Sequence, residues 1–305
     1  MPKKKVNKPK THVVLVLDRS GSMGSIARQA INHFNEQRQQ AILNSKDQDI
    51  TVSLVTFNAD VFEHAWLAPA EEVGELDADT YRPSGGTAWY DALGYAVDKL
   101  KATTEDDENT AYLVVSITDG DENSSSHYGG VYDSSIINAL IEECQGTNKW
   151  TFTFMGCDAN KLKQVSRATG IPMSNMALWS GDNAQIAEKS LHRSTERHNA
   201  YYACRTRGVT ASNNMYSESD GLAADFTSDD SAALVGSTNQ PIDLNSQPQI
   251  DLVSQPQVDL AHKVDPDWRS RVTAVTAKQV PFGSLYKGDT PYHSFQAGNA
   301  VSWNK

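Results

Sequence analysis

At 305 residues, 39% hydrophobic and 21% charged, the chain is long enough for one large α/β domain with appended segments. No run of ~18 apolar residues occurs, so a membrane span is not expected, and the basic start (Met1 to Lys10) lacks the apolar stretch of a secretory signal. The net charge of −11 argues against nucleic acid as the main partner, because a sequence-independent binder needs a broad basic face.

In chain order, a basic arm (1–10) precedes His12–Leu17, a β-branched run without polar alternation. That pattern reads as a strand buried on both faces. A helix follows with Ala27, Ile31, Phe34 and Ala41 on one face, then a strand over 50–57. Asn58-Ala-Asp60 links it tightly to a third strand, about 62–67, so those two are expected to pair antiparallel. After Pro83-Ser-Gly-Gly86 comes a helix with Trp89, Leu93, Ala96, Val97 and Leu100 inward. A strand over 112–118 leads to a helix carrying Ile137, Leu140, Ile141 and Cys144. Strands at 150–155 and 176–179 and a polar helix to about Cys204 complete the domain. Trp89, Trp150 and Trp179 sit in apolar patterns and read as core.

Strands alternating with helices predict an α/β fold: a doubly wound, mostly parallel six-stranded sheet with one antiparallel edge strand over residues 11–207. Such sheets hold ligands beyond the carboxyl ends of their strands. From residue 208 the composition shifts to Ser, Asp, Asn, Gln and Ala, and residues 208–261 hold eight acids and no Lys or Arg. Residues 208–262 are therefore expected to form a disordered acidic linker. Within it an eight-residue repeat recurs as Pro241-Ile-Asp-Leu244, Gln249-Ile-Asp-Leu252 and Gln257-Val-Asp-Leu260. It reads as a spacer, as a docking motif, or as a set of tethered carboxylates. A basic aromatic segment, 263–305, ends the chain. Cys144, Cys157 and Cys204 are odd in number and form no C-x-x-C pair, which points to buried free thiols in a reducing, cytoplasmic setting.

The informative segment is Asp18-Arg-Ser-Gly-Ser22, one carboxylate and two hydroxyls on a turn directly after the first strand. Thr87 in Ser84-Gly-Gly-Thr87 and Asp119, at the end of the fourth strand, add a hydroxyl and a carboxylate. In this order the residues resemble the von Willebrand factor A family, whose metal-ion-dependent adhesion motif is D-x-S-x-S, then a distant Thr, then a distant Asp. The resemblance covers about residues 11–205. It implies a Rossmann-like fold, and Mg²⁺ (with Mn²⁺ or Ca²⁺ as substitutes) held by Asp18, Ser20, Ser22, Thr87 and Asp119.

The donor chemistry agrees, since a hard cation takes oxygen ligands and two carboxylates balance its charge while three hydroxyls stay neutral. The expected function is a non-enzymatic adaptor or scaffold that captures an Asp or Glu of a protein partner. The chain is similar to stand-alone intracellular bacterial or phage members, and the resemblance to an intracellular member implies an adaptor role, often in larger assemblies with ATPases. A Mg²⁺-dependent phosphohydrolase and a structural subunit braced by the metal are the alternatives. Against hydrolysis, the chain has no G-x-S-x-G elbow, phosphate loop or G-x-G-x-x-G fingerprint. Asp119-Gly-Asp-Glu-Asn123 fails as a calcium loop because Ser124 and Gly130 stand where Gly and Glu are required. Asp121 and Glu122 read as an acidic rim or a solvated loop.

Overall fold

The computed structural model describes residues 8–119, 121–125, 132–179, 184–216 and 278–279. The basic arm before Lys8, the octapeptide repeats and almost all of the C-terminal segment lie outside the described residues.

β1 (Lys10–Asp18) is buried from Thr11 onward and runs parallel between β2 (Asp49–Phe57) and β4 (Thr110–Ile117). A strand covered on both faces has no use for polar alternation, which is why His12–Leu17 is continuously apolar after its first residue. Its side chains still alternate. Val13, Leu15 and Leu17 face α1 (Ala27–Asn44) and α5 (Ala184–Arg205), whereas Val14 and Val16 face α2 (Trp89–Thr103) and α3 (Ser134–Gly146). The three tryptophans read as core are 0–5% exposed, among them Trp179 at 0%. In α1, Phe34 and Ala41 are buried as expected, but Ala30, His33 and Gln37 complete the face and Ala27 and Ile31 stand at its margin.

The sheet order is β6-β5-β4-β1-β2-β3-β7, with β5 (Trp150–Gly156) and β6 (Met176–Leu178) on one flank and β3 (Val61–Pro69) on the other. The expected six strands are present and only β3 is antiparallel to its neighbour β2. β7 (Lys278–Gln279) adds a two-residue seventh strand that covers β3 at Phe62 and Glu63, so β3 is not the edge there. A further helix, α4 (Ala159–Thr169), lies between β5 and β6; Asp158 caps it by accepting from the amides of Asn160 and Lys161.

The packed chain runs past residue 207, where a linker was expected to begin. Ser212 N donates to Thr151 Oγ1 (2.9 Å), Met215 N to Asn175 Oδ1 (2.8 Å) and Tyr216 N to the Ser174 carbonyl (2.8 Å), and Met215 is buried. At the amino-terminal edge of the sheet the buried Arg205 guanidinium donates to the carbonyls of Lys10, Asn109 and Val209 and to Thr11 Oγ1. One side chain thus joins the starts of β1 and β4 to the chain after α5. Among the described residues no helix is long and apolar enough to cross a membrane.

Candidate metal centre

β1 leads through α1 to β2 on one side, and β4 leads through α3 to β5 on the other. The crevice between their carboxyl ends is the point where the winding direction reverses, the usual ligand position in such sheets. Three loops meet there.

The first loop follows β1. Asp18 is fully buried; its Oδ1 accepts from the Ser20 amide (2.6 Å) and its Oδ2 from the Thr118 hydroxyl (2.5 Å). The backbone is pinned as well, since Tyr81 Oη donates to the Asp18 carbonyl and Arg19 N to the Phe57 carbonyl (2.7 Å). Arg19 lies over the Phe62 ring with its guanidinium carbon 4.7 Å from the centroid, which places its charge on the β3 side.

The second loop is tied to the first by two backbone bonds, Ser84 N to the Arg19 carbonyl (2.8 Å) and Gly21 N to the Gly85 carbonyl (3.0 Å). Gly85 has φ of 80°, a conformation that suits glycine. Those bonds bring the buried Thr87 to the crevice. Its amide donates to Asn123 Oδ1 (3.0 Å) and Ser124 Oγ (3.2 Å), and its carbonyl accepts from both of their amides. The third loop follows β4 and carries Asp119, whose Oδ1 accepts from the Ser22 hydroxyl (2.7 Å). Ser20 and Ser22 are themselves 3.1 Å apart through their hydroxyls. Asp18, Ser20, Ser22 and Asp119 therefore form one hydrogen-bonded chain across the crevice, with Thr87 carried alongside on its loop.

Burial pushes the Asp18 carboxyl up to about 6, against the lowering effect of its bonds from Thr118 and Ser20, and the nearby Asp119 charge adds to the rise. Asp119 is raised as well, again mainly by burial. Two desolvated carboxylates side by side are the arrangement that a bound cation neutralises. The hydroxyls suit the same role. Ser22 gives its proton to Asp119 and keeps its lone pairs for a cation. Two carboxylates and three hydroxyls thus fit a hard divalent ion such as Mg²⁺, Mn²⁺ or Ca²⁺. Among the described residues no group of three or more His, Cys, Asp or Glu side chains could hold a metal, so a nitrogen- or thiolate-rich zinc site is not found among them.

The von Willebrand factor type A domain model matches residues 12–189, more than half of the chain. The chain belongs to this family. No curated protein sequence matches it. Similar solved structures include the von Willebrand domain of the type V pili tip protein Mfa5 from Porphyromonas gingivalis, at 11% identity and a TM-score of 0.45, covering 64% of this chain and 97% of that one. Manganese-loaded TRAP protein from Plasmodium vivax is 18% identical, with a TM-score of 0.41 and coverage of 61% and 75%. The open pilus adhesin SpaC from Lactobacillus rhamnosus GG is 16% identical at a TM-score of 0.43, and this chain spans 31% of it.

Several residues around the site of this von Willebrand A domain had no signal in the sequence. Glu122, read as rim or solvated loop, is neither. Its Oε2 accepts from Tyr90 N (2.9 Å) and Ser125 Oγ (2.8 Å), and its Oε1 from the amides of Ser124 and Ser125. It caps the start of α2 and shapes the loop that holds Thr87. Asp121 pairs with Lys161 (3.0 Å) at the surface. The thiols are free, but only Cys144 is buried; Cys157 and Cys204 are half-buried, and Cys157 Sγ donates to the Asp119 carbonyl (3.0 Å). Two hollows flank the site. Beside Asp119 is a cleft of about 220 Å³ walled by Trp89, Phe154, Leu162 and Val165. On the α1 side is an open groove of about 660 Å³ formed by Ala27, Ile31, Ala78 and Pro83, with Arg28 and Arg82 on it.

Gly86 shows how tightly the second loop is set. A Cβ there would lie 2.3 Å from Ser124 Oγ and 3.0 Å from Asn123 Oδ1, the two atoms that fix the Thr87 amide. Gly86→Ala is expected to displace Thr87 and weaken divalent-metal affinity by about 10-fold or more without removing a ligand, the usual effect of disturbing an outer-shell partner. Mn²⁺ titration calorimetry checks this, and unaltered affinity would show that the loop does not position a ligand.

Proposed function

We infer that the domain is a divalent-cation-dependent protein-recognition module whose cation is held by Asp18, Ser20, Ser22, Thr87 and Asp119. The supporting observation is the convergence of two desolvated carboxylates and a chain of hydroxyls at the switch point of the sheet. When bound, the cation supplies an electrophilic position for a partner's Asp or Glu carboxylate. The chain's own residues do the rest. Asp18 and Asp119 balance the charge without saturating it, the hydroxyls contribute neutral oxygens, and the backbone bonds among the three loops hold the donors in place before binding. A cage richer in carboxylates would quench the attraction for one more. The recognition proposed is non-enzymatic and the role that of an adaptor.

The test is capture of partners by immobilised full-length protein in Mg²⁺ and in EDTA, alongside Mn²⁺ titration of the same preparation. Partner binding that requires Mg²⁺ and disappears in Asp18→Asn supports the reading. Failure to take up metal, or binding indifferent to EDTA, would overturn it.

A further inference from the structure

The cleft of about 220 Å³ beside Asp119 is continuous with the metal centre, because Asp119 itself and Thr118, which donates to Asp18, both line it. Its remaining walls are largely apolar and come from three elements. α2 supplies Trp89, whose indole nitrogen is already bonded to Ser116 Oγ (3.1 Å), and β5 supplies Phe154, set edge-on to Trp89 with ring centroids 4.8 Å apart. α4 supplies Leu162, Val165 and Ala168, spaced along one helix face. Leu162 is buried, whereas Val165 and Ala168 are only half-buried, so the apolar stripe of α4 stays partly uncovered where it borders the cleft. Gly156 lets Phe154 and Leu162 close over the end of β5, since a Cβ there would lie 3.0 Å from the one and 3.1 Å from the other. The charged groups of the lining already have partners. Ser22 donates to Asp119, Asp121 pairs with Lys161, and Glu122 accepts from four donors.

We propose that this cleft is a specificity pocket for one bulky apolar side chain of the partner, a Leu, Ile or Phe within two residues of the Asp or Glu that meets the cation. The proposal rests on the recognition reading above and states which carboxylates are preferred. Charge decides the chemistry of the occupant. Asp119, Asp121 and Glu122 outnumber Lys161 in the lining, so a second carboxylate is repelled, and with each of these groups partnered the surface left to contact is that of Trp89, Phe154, Leu162 and Val165. Volume decides its size. Pockets for whole small molecules start at about 300 Å³, whereas about 220 Å³ suits a single large side chain. Continuity decides its place in the partner's sequence. Asp119 belongs to both sites, so the two side chains must leave the partner's backbone close together, and successive Cα atoms are only about 3.8 Å apart.

The experiment pans a random heptapeptide phage library on immobilised full-length protein in Mg²⁺ and elutes with EDTA, after Mn²⁺ titration of each protein. Wild type is compared with Val165→Trp, which fills the cleft from its half-buried wall, and with Val165→Ala, which widens it. Wild type is expected to select Asp or Glu with Leu, Ile or Phe within two residues. A synthetic copy of a selected peptide should bind about tenfold more weakly once that apolar residue is Ala, the effect of burying one such side chain. In Val165→Trp the same replacement should change affinity by less than about twofold, because the side chain no longer has a place to be buried. Val165→Ala, a truncation at a half-buried position, should shift selection toward larger aromatic residues, and it carries the test if the Trp variant does not fold. Selected acids without an apolar neighbour, a preference for a neighbouring Lys or Arg, or the same preference in all three proteins overturns the pocket and leaves metal-dependent recognition standing. Metal uptake without any acidic peptide released by EDTA overturns recognition and pocket together. Absence of metal uptake removes the cation site as well.

Discussion

An Asp18→Asn protein is expected to lose its response to Mg²⁺ and yet, in EDTA, to be more stable than wild type. Asp18 is fully buried and its folded pKa is about 6, against an ordinary value of 3.8. An acid whose folded pKa is raised penalises the folded state wherever it is ionised in both states. The penalty is full above pH about 6 and disappears as the pH falls toward 4. The shift corresponds to roughly 3 kcal/mol at neutral pH, or about 6–12 °C in Tm for a domain of this size. Asparagine keeps both hydrogen bonds. Its oxygen accepts from the Ser20 amide, and its NH₂ donates to a Thr118 hydroxyl that can turn. Thermal melts in EDTA and in Mg²⁺ decide the matter. The wild type should rise with Mg²⁺ and the variant should not, and their difference in EDTA should shrink between pH 7 and pH 4. A variant that melts lower than wild type in EDTA, or still responds to Mg²⁺, contradicts the assignment.

Acid is expected to unfold the domain through histidines far from the metal site. His33 in α1 and His198 in α5 are fully buried, and burial lowers both to about 3. His33 lies against Thr195, Gln37 and the Leu191 backbone, whose hydrogen bond opposes the lowering, and His198 lies against Tyr216 and is lowered further by the charge of His33. The nearby Glu36 carboxylate accepts from Thr195 instead. A base whose folded pKa is depressed stabilises fully above its unfolded value of 6.5, and that stability is lost as pH falls toward 3. At pH 5 each histidine accounts for about 2 kcal/mol of loss, and the pair for about 4 kcal/mol, a large share of a typical domain's stability. His12 and His64, lowered to about 4 by burial, act in the same direction. Guanidinium titrations at pH 7 and pH 5, in EDTA and in an Asp18→Asn, Asp91→Asn background, remove the opposite contributions of Asp18 and of Asp91, whose carboxyl burial raises to about 7. Unchanged stability at pH 5 would mean that these rings are not held neutral.

The contrast between those two residue sets explains how far the sequence could be read. β1 and β4 are continuous apolar runs because both faces of the sheet are covered. Asp18 and Asp119 stand where those runs stop, so the parallel sheet and the site's position were legible together. α4 was not, because it buries only Leu162 and Thr169 and its sequence is otherwise that of a solvated surface. α5 read as a polar helix, and it is one in composition. Its inward face is built from Ser194, Thr195, His198 and Arg205 beside Leu191, Tyr201 and Tyr202, polar groups whose partners lie on α1, at the start of β1 and in the chain after α5. Glu122 was illegible for a related reason. A carboxylate that satisfies four donors on its own loop and on α2 has no signature that separates it from a solvated acid. The packing of residues 209–216 depends on hydrogen bonds to Thr151, Asn175 and Ser174, none of which has a periodic pattern to betray it.

Arg205 carries a consequence for how the protein is made. The carbonyls of Lys10 and Asn109 are held by a guanidinium that lies far later in the chain, and that guanidinium is in turn satisfied by Val209. A polypeptide leaving the ribosome amino end first exposes β1 and then β4 long before their clasp is synthesised. Domains generally fold as units during synthesis, and this one stays open at its lower rim until α5 and the residues just after it have emerged. Over that interval two central strands of the sheet, each an apolar run covered on both faces in the finished fold, stand without their final closure.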